Sequence, residues 1–123
     1  MKITHKKNAL HVFKPEGLNT FYYLFKEYEV HYNEQRPKTT QVWHHHEHIH
    51  ESIFIIEGQL TAEWKIGKNL KKQIVKSGDI IETENTPHTF INHTSKIVKF
   101  LVIKQLLLGK DKRKLLKNDK VLD

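Results

Sequence analysis

The stretch VWHHHEHIHESIFIIEG, from Val42 to Gly58, decides how the rest of the chain is interpreted. It carries five of the ten histidines and then a run of apolar and β-branched residues. Neighbouring side chains on a β-strand point to opposite faces, so His44 and His46 share a face and His45 points away. Two imidazoles placed in this way can reach one metal ion.

Two further residues can complete such a site. Glu51 has the wrong parity to join the histidines on one continuous strand, but the polar segment 47–50 is short enough for a hairpin loop. Glu51 would then open an antiparallel strand and face the same interior point. His88, in ENTPHTFIN, supplies a third imidazole. Three neutral imidazoles and one carboxylate suit a divalent first-row metal and leave room for a water or a substrate oxygen.

Alternation with a period of two recurs along the chain and predicts further strands. In QLTAEWKI, residues 59–66, the apolar side chains fall on one face, and a turn at Gly67 leads into a second strand of a hairpin. The segments 80–81, 88–94 and 96–104 predict three more strands. Residues 18–32 show both helical spacing and alternation, and their aromatic content favours one long strand over a helix. The pattern indicates an all-β sandwich or barrel.

Composition and charge narrow the class of protein. The 123 residues suit one domain, with 37% hydrophobic and 28% charged residues and no cysteine for a disulfide or a thiolate metal site. No apolar run has the length of a membrane span and the N-terminus lacks the pattern of a signal peptide, so we expect a cytoplasmic protein.

Much of the formal net charge of +7 lies near the C-terminus. The lysines there have no aromatic residues interleaved with them, so we expect a solvated tail and no nucleic-acid partner. We place the barrel at 1–106 and the tail at 107–123, where a short basic helix can form outside the barrel.

The spacing of the site residues resembles the two motifs of the cupin superfamily. The first motif has two histidines one residue apart, then a glutamate, then a glycine after six residues, matched here by His44, His46, Glu51 and Gly58. The second runs from a glycine to a histidine and an asparagine, matched by Gly78, Asp79, His88 and Asn92. The resemblance covers residues 39–103 and is to the small single-domain bacterial cupins. The loop ETENTPH lacks the Pro-x-Gly that the family usually has there.

This resemblance implies a jelly-roll barrel, also called a double-stranded β-helix, with a divalent metal inside (Fe, Mn, Zn, Ni or Co). It implies His44, His46, Glu51 and His88 as the metal ligands, and a homodimer. It does not imply one reaction, because the fold hosts many.

Other residues receive weaker assignments. We expect three histidines to stay outside the metal cluster, because they point away or lie in the loop: His45, His48 and His50. Four more are expected at the surface or at a sheet edge: His5, His11, His31 and His93. Phe90 shares a face with His88 and can support it. Trp64 is expected in the core, and three residues can line the cavity: Tyr23, Phe25 and Glu63.

Two classes of function follow. The first is a metal-dependent enzyme, an isomerase, epimerase or dioxygenase, acting on a small oxygen-rich molecule such as a sugar, keto acid or phenol. The second is a non-catalytic module that binds or senses a small molecule. The sequence identifies no general base. An ionisable group within reach of a metal-bound ligand would favour the enzyme.

Overall fold

The computed structural model describes residues 1–106 and 120–123. In those residues a short 3-10 turn at Lys6–Asn8 precedes twelve strands. The strands are β1 (Leu10–Lys14), β2 (Leu18–Leu24), β3 (Tyr28–Gln35), β4 (Thr39–Thr40), β5 (His44–His46), β6 (Ile49–Glu57), β7 (Gln59–Ile66), β8 (Asn69–Lys76), β9 (Ile80–Glu82), β10 (His88–Asn92), β11 (Val98–Leu106) and β12 (Lys120–Leu122). No helix in this part of the chain is long and apolar enough to cross a membrane.

The strands form two antiparallel sheets that face each other. The first sheet has the order β1-β2-β3-β11-β6-β9. The second has the order β12-β5-β10-β7-β8, with β4 also paired to β10. Consecutive strands such as β5 and β6 lie in different sheets, so the chain crosses repeatedly between the layers. This arrangement confirms the predicted all-β jelly roll.

The hydrophobic core lies between the sheets and contains side chains from both. The inward-facing residues of β6 and β7 behave as their alternation predicts: Ile53, Ile55, Leu60 and Ala62 are buried. They pack with Phe90, Phe100 and other apolar residues of the same cluster. Burial of such side chains contributes about 1.5–3 kcal/mol each and fixes the register of the strands that carry them.

The predicted hairpin after Gly58 is confirmed. β7 and β8 pair from Gln59 with Lys76 to Ile66 with Asn69, around a turn at Gly67 with a positive φ. β8 ends the second sheet in the described residues and is exposed along most of its length. Its lysines, Lys71, Lys72 and Lys76, are typical of an edge strand that must not pair with other chains.

The prediction of one long strand over residues 18–32 is wrong. The segment is a hairpin of β2 and β3, paired from Leu18 with Gln35 to Leu24 with Glu29. The chain reverses over residues 25–27, where the Phe25 amide donates to the Tyr28 carbonyl and the two rings stack at 4.7 Å. The charged residues Lys26 and Glu27 lie at the turn. Because the residues on either side of them alternate in the same way, the sequence pattern did not indicate that the chain reverses there.

The predicted hairpin loop at residues 47–50 is also wrong. β5 ends at His46 and β6 begins at Ile49, but β5 pairs with β10 and β12 whereas β6 pairs with β11 and β9. The two residues between them carry the chain from the second sheet to the first. Glu51 therefore faces His44 and His46 across the barrel rather than beside them on a hairpin.

The end of the chain belongs to a sheet. Lys120–Leu122 pairs antiparallel with His44–His46, so these residues extend the sheet rather than lying outside the barrel. The short helix predicted for the tail falls on residues 107–119, which lie outside the described residues.

Gly17 and Gly78 provide a matched test of the packing of the turn between β1 and β2 against β4. Both have a left-handed φ, +98° and +92°, so an added side chain strains the backbone equally. A Cβ at Gly17 would lie 2.5 Å from Thr39 Cγ2, whereas a Cβ at Gly78 meets nothing within 4 Å. We expect Gly17→Ala to lower the free energy of unfolding by about 1–3 kcal/mol more than Gly78→Ala does. Urea unfolding measures both, and equal losses would contradict the close approach.

Candidate metal centre

Three side chains from the two sheets converge inside the barrel. His44 and His46 come from β5 and Glu51 comes from β6, and all three are buried. One ligand atom from each lies within 4.8 Å of the others, so this cluster could hold a metal ion. His46 Nε2 is 3.1 Å from Glu51 Oε2. The strand parity that predicted a shared face for the two histidines is confirmed.

His88, at the start of β10, lies against the same cluster. Its Nε2 is 3.4 Å from Glu51 Oε1, and its ring centroid is 4.5 Å from that of His44. β10 pairs with β5 so that His88 stands opposite His44. The structure therefore brings together all four residues that the sequence singled out.

Two of the imidazoles are oriented by backbone carbonyls. His44 Nδ1 donates to the Val42 carbonyl at 2.8 Å, and His88 Nδ1 donates to the Thr86 carbonyl at 2.7 Å. Because a carbonyl can only accept, each Nδ1 carries the proton and each Nε2 is left with its lone pair. Metal-binding histidines are held by such outer hydrogen bonds.

The loop before His88 replaces the missing Pro-x-Gly by other means. Glu84 and Asn85 both adopt a positive φ, at 50° and 59°, which a glycine would otherwise favour. Thr86 donates from its amide and its hydroxyl to the Thr83 carbonyl. Asparagine tolerates the left-handed region better than most residues, so the chain can turn here without a glycine.

The chemistry of the cluster fits a divalent cation. Glu51 Oε1 and His88 Nε2 are buried, and neither has a hydrogen-bond partner among the described residues. Buried polar atoms are otherwise almost always satisfied. Burial alone would raise the pKa of Glu51, but the His46 imidazole and the Lys104 ammonium hold it well below its ordinary value. Burial, together with His88, lowers the pKa of His44 to about 3, which leaves a neutral imidazole.

A second ionisable pair lies beside the same pocket, and one of its members, His31, lines the pocket wall. His31 Nε2 donates to Glu29 Oε1 at 2.7 Å, and both side chains are buried. The prediction that His31 lies at the surface or an edge is therefore wrong. The inward face of β3 carries the polar residues Glu29, His31, Asn33 and Gln35. Alternation was visible in the sequence, but the polar face was assumed to face solvent, and only the tertiary arrangement turns it inward.

His31 is neutral at ordinary pH. Burial lowers its pKa to about 4, and this effect exceeds the opposing effect of Glu29. Since the Glu29 carboxylate accepts from Nε2, the neutral ring has its lone pair on Nδ1. The ring lines the pocket that also contains His44, Glu51 and His88. The pocket thus has a proton acceptor that the sequence did not reveal.

The other histidines lie where they were expected from the sequence, outside the cluster of His44, His46, Glu51 and His88. His45 is turned outward and binds the Asp123 carboxylate at 2.9 Å, His48 is exposed, and His50 lies 3.5 Å from Glu82. Three other histidines are exposed as expected: His5, His11 and His93.

Some of the aromatic and acidic residues that were expected near the cavity line the metal pocket, some line a second cavity, and some line neither. Phe90 lines the pocket and its ring is 5.4 Å from that of His88. Trp64 packs against the core and, with Glu63, lines a second cavity of about 670 Å³, whose wall also includes His88 and Phe90. Tyr23 and Phe25 are not among the residues that line either space.

The fold and the cluster define a class of protein: a small jelly-roll barrel with a buried histidine–glutamate site. The cupin-domain family model matches residues 30–104, and the chain belongs to that family. No curated protein matches the sequence significantly.

Several solved structures share the fold at low sequence identity. A cupin-superfamily sugar phosphate isomerase from Silicibacter pomeroyi has a TM-score of 0.65 and 18% identity over 80% of this chain and 70% of its own. The structure of Drosophila melanogaster CENP-C bound to CAL1 has a TM-score of 0.71 and 16% identity, over 84% of this chain and 85% of its own. Oxalate decarboxylase from B. subtilis has a TM-score of 0.75 and 13% identity, over 96% of this chain and 31% of its own.

His31 makes stability depend on pH. Its pKa falls from 6.5 in the unfolded chain to about 4 in the folded protein, so protonation favours unfolding as the pH drops from about 6.5 to 4. Protonation of this residue is expected to lower the free energy of unfolding by about 3 kcal/mol at the acid end of this pH range. His31→Gln keeps a donor for Glu29 and should remove this part of the pH dependence. Urea unfolding of metal-free protein at pH 7 and pH 4 tests this. If the parent and His31→Gln lost the same unfolding free energy between the two pH values, the assignment would be contradicted.

Proposed function

We propose that the protein is a metal-dependent enzyme that acts on a small oxygen-rich molecule by proton transfer, as an isomerase or epimerase does. One observation carries the proposal: His31, whose ring is held by Glu29, lines the same pocket as His44, Glu51 and His88. A protein that only binds a ligand needs the histidine–glutamate cluster alone. An enzyme that transfers protons also needs a proton acceptor near that cluster, and the neutral His31 ring, oriented by a carboxylate, is such a group.

The four residues His44, His46, Glu51 and His88 would hold a divalent cation such as Fe, Mn, Zn, Ni or Co. When bound, such an ion supplies Lewis-acid polarisation of a carbonyl or hydroxyl oxygen. Glu51 Oε1 and His88 Nε2 support this assignment, because neither has a hydrogen-bond partner in the part of the chain that the structure describes. A set of three imidazoles and one carboxylate leaves coordination positions for a substrate oxygen.

The chain's own acid–base group would then move the proton. His31 Nδ1 would accept the proton from a carbon next to a substrate carbonyl, whose oxygen takes up the electron pair of the broken C–H bond as an enolate. Glu29 would stabilise the imidazolium that forms. Burial disfavours the protonated ring, so the proton returns readily to substrate. The similarity to a sugar phosphate isomerase is compatible with this chemistry, although that relationship is one of fold. A dioxygenase needs no such base, so the pair favours proton transfer.

The ligand assignment predicts loss of metal in a double variant. His44→Ala/His46→Ala should retain about tenfold less metal per chain than the parent, because half of the ligands are gone. The matched control is His45→Ala/His50→Ala, which also removes two imidazoles from this region. Elemental analysis of untagged protein purified without chelator measures the metal, and circular dichroism checks the fold. Equal metal in the His44/His46 variant and the control would refute the assignment.

The proton-transfer assignment predicts isotope exchange that depends on His31. Metal-loaded protein in D₂O is incubated with a panel of keto acids and sugar phosphates, and deuterium at the carbon next to the carbonyl is followed by NMR. We expect exchange with at least one compound, and His31→Gln should slow it by about 10²–10⁴-fold at unchanged metal content.

Two results would contradict this assignment. Equal exchange by parent and His31→Gln would remove the role of the imidazole. Binding of panel compounds with no exchange would favour the non-catalytic binding or sensing module instead.

The homodimer and the cytoplasmic location stay predictions. Exposed apolar side chains on β1, including Leu10, Val12 and Phe13, are compatible with contact between two copies. Sedimentation of the purified protein distinguishes one copy from two.

A further inference from the structure

We propose that the pocket takes a small carboxylate, such as a keto or hydroxy acid, and that Lys104, with Lys14 and Lys120, binds its carboxylate group. The inference rests on the proposed function, because it assigns a substrate class to the same pocket. We call these three residues the lysine cluster.

The lysine cluster forms from segments that are far apart in the sequence. Lys14 ends β1, Lys104 lies on β11 and Lys120 begins β12. All three line the pocket that contains His44 and Glu51. Lysines are rarely brought together beside a buried site, because each like charge raises the free energy of the others. Their convergence therefore calls for an anion.

Lys104 is the member closest to the metal cluster. Its side chain is 14% exposed, and its Nζ lies 4.0 Å from Glu51 Oε2. A buried ammonium is unfavourable unless opposite charge compensates it. Glu51 supplies part of that compensation. Glu29, which faces Lys104 across β3 and β11, supplies a further part but already accepts from His31. If Glu51 held a divalent cation, its negative charge would be shared, and a bound anion would then compensate Lys104.

The charges that line the pocket do not balance. Two carboxylates, Glu16 and Glu51, face three ammonium groups, and Glu16 also accepts the Val42 amide. Among residues 1–106 and 120–123, no carboxylate lies within 4.0 Å of Lys14 or Lys120. A divalent ion would increase the positive excess further. A bound anion lowers the electrostatic free energy of all these groups together.

The size of the pocket favours a compact anion. Its volume is about 40 Å³, which is space for a few waters. Since Lys104 lies so close to Glu51, the charged group of the ligand and its metal-facing oxygen must also be close. Neighbouring carboxylate and keto or hydroxyl groups meet this requirement, whereas a phosphate at the end of a sugar chain does not.

Titration calorimetry with pyruvate and pyruvamide tests the proposal, because the two molecules differ mainly in charge. We expect metal-loaded protein to bind pyruvate at least about tenfold more tightly than pyruvamide, and Lys104→Gln to remove that preference. Lys104→Arg keeps the charge and should retain it. Lys99→Gln is the matched control, since Lys99 lies on the same strand and pairs with Glu57 instead of lining the pocket.

Metal content and melting temperature are measured for every variant, and Lys14→Gln serves as a second test if Lys104→Gln does not fold. Lys14→Gln should weaken pyruvate binding with no change in metal. Equal binding of pyruvate and pyruvamide, or equal effects of Lys104→Gln and Lys99→Gln, would overturn the proposal. Tighter, Lys104-dependent binding of inorganic phosphate than of pyruvate would overturn the choice of a carboxylate.

The same titration on metal-free protein separates this proposal from the proposed function. If the parent holds no metal but still prefers pyruvate through Lys104, the proposed metal enzyme fails and the anion site stands. If the parent holds metal and shows no charge preference, the anion site fails and the metal assignment stands.

Discussion

The buried carboxylate of Glu51 is the constraint on which the rest of the site depends. Its strand lies in the first sheet, whereas the imidazoles that face it, His46 and His88, lie on strands of the second. An isolated carboxylate at this depth would cost several kcal/mol. An opposite charge must therefore lie beside it. The Lys104 ammonium and a cation held between Glu51 and the imidazoles would supply that charge, which ties the spacing of the two sheets to the chemistry of the site.

Much of the fold could be predicted from the sequence, because it depends on local patterns. Alternation identified β7, β10 and β11, and the glycines at the turns separated the strands. The jelly roll was implied by the resemblance of the segments from His44 to Gly58 and from Gly78 to Asn92 to the two cupin motifs. Asn92 shows why that spacing matters: its side-chain amide binds the carbonyls of Gln35, Arg36 and Lys96, which holds the loop before β11.

The rest of the site depends on tertiary structure and could not be predicted. Nothing local shows that β5 and β6 belong to different sheets, or that the polar face of β3 is the inner one. Glu29 and His31 looked like solvent-exposed residues because polar residues on a strand usually are. Lys104 ends a predicted strand, but nothing in the sequence shows that β11 runs through the middle of the first sheet and places this lysine beside Glu51.

The most direct test is a crystal structure of the purified protein with diffraction data collected on both sides of a metal absorption edge. We expect one anomalous peak about 2.0–2.2 Å from a nitrogen of each of His44, His46 and His88 and from an oxygen of Glu51. A peak elsewhere, or a metal-saturated crystal with no peak between these four side chains, would contradict it.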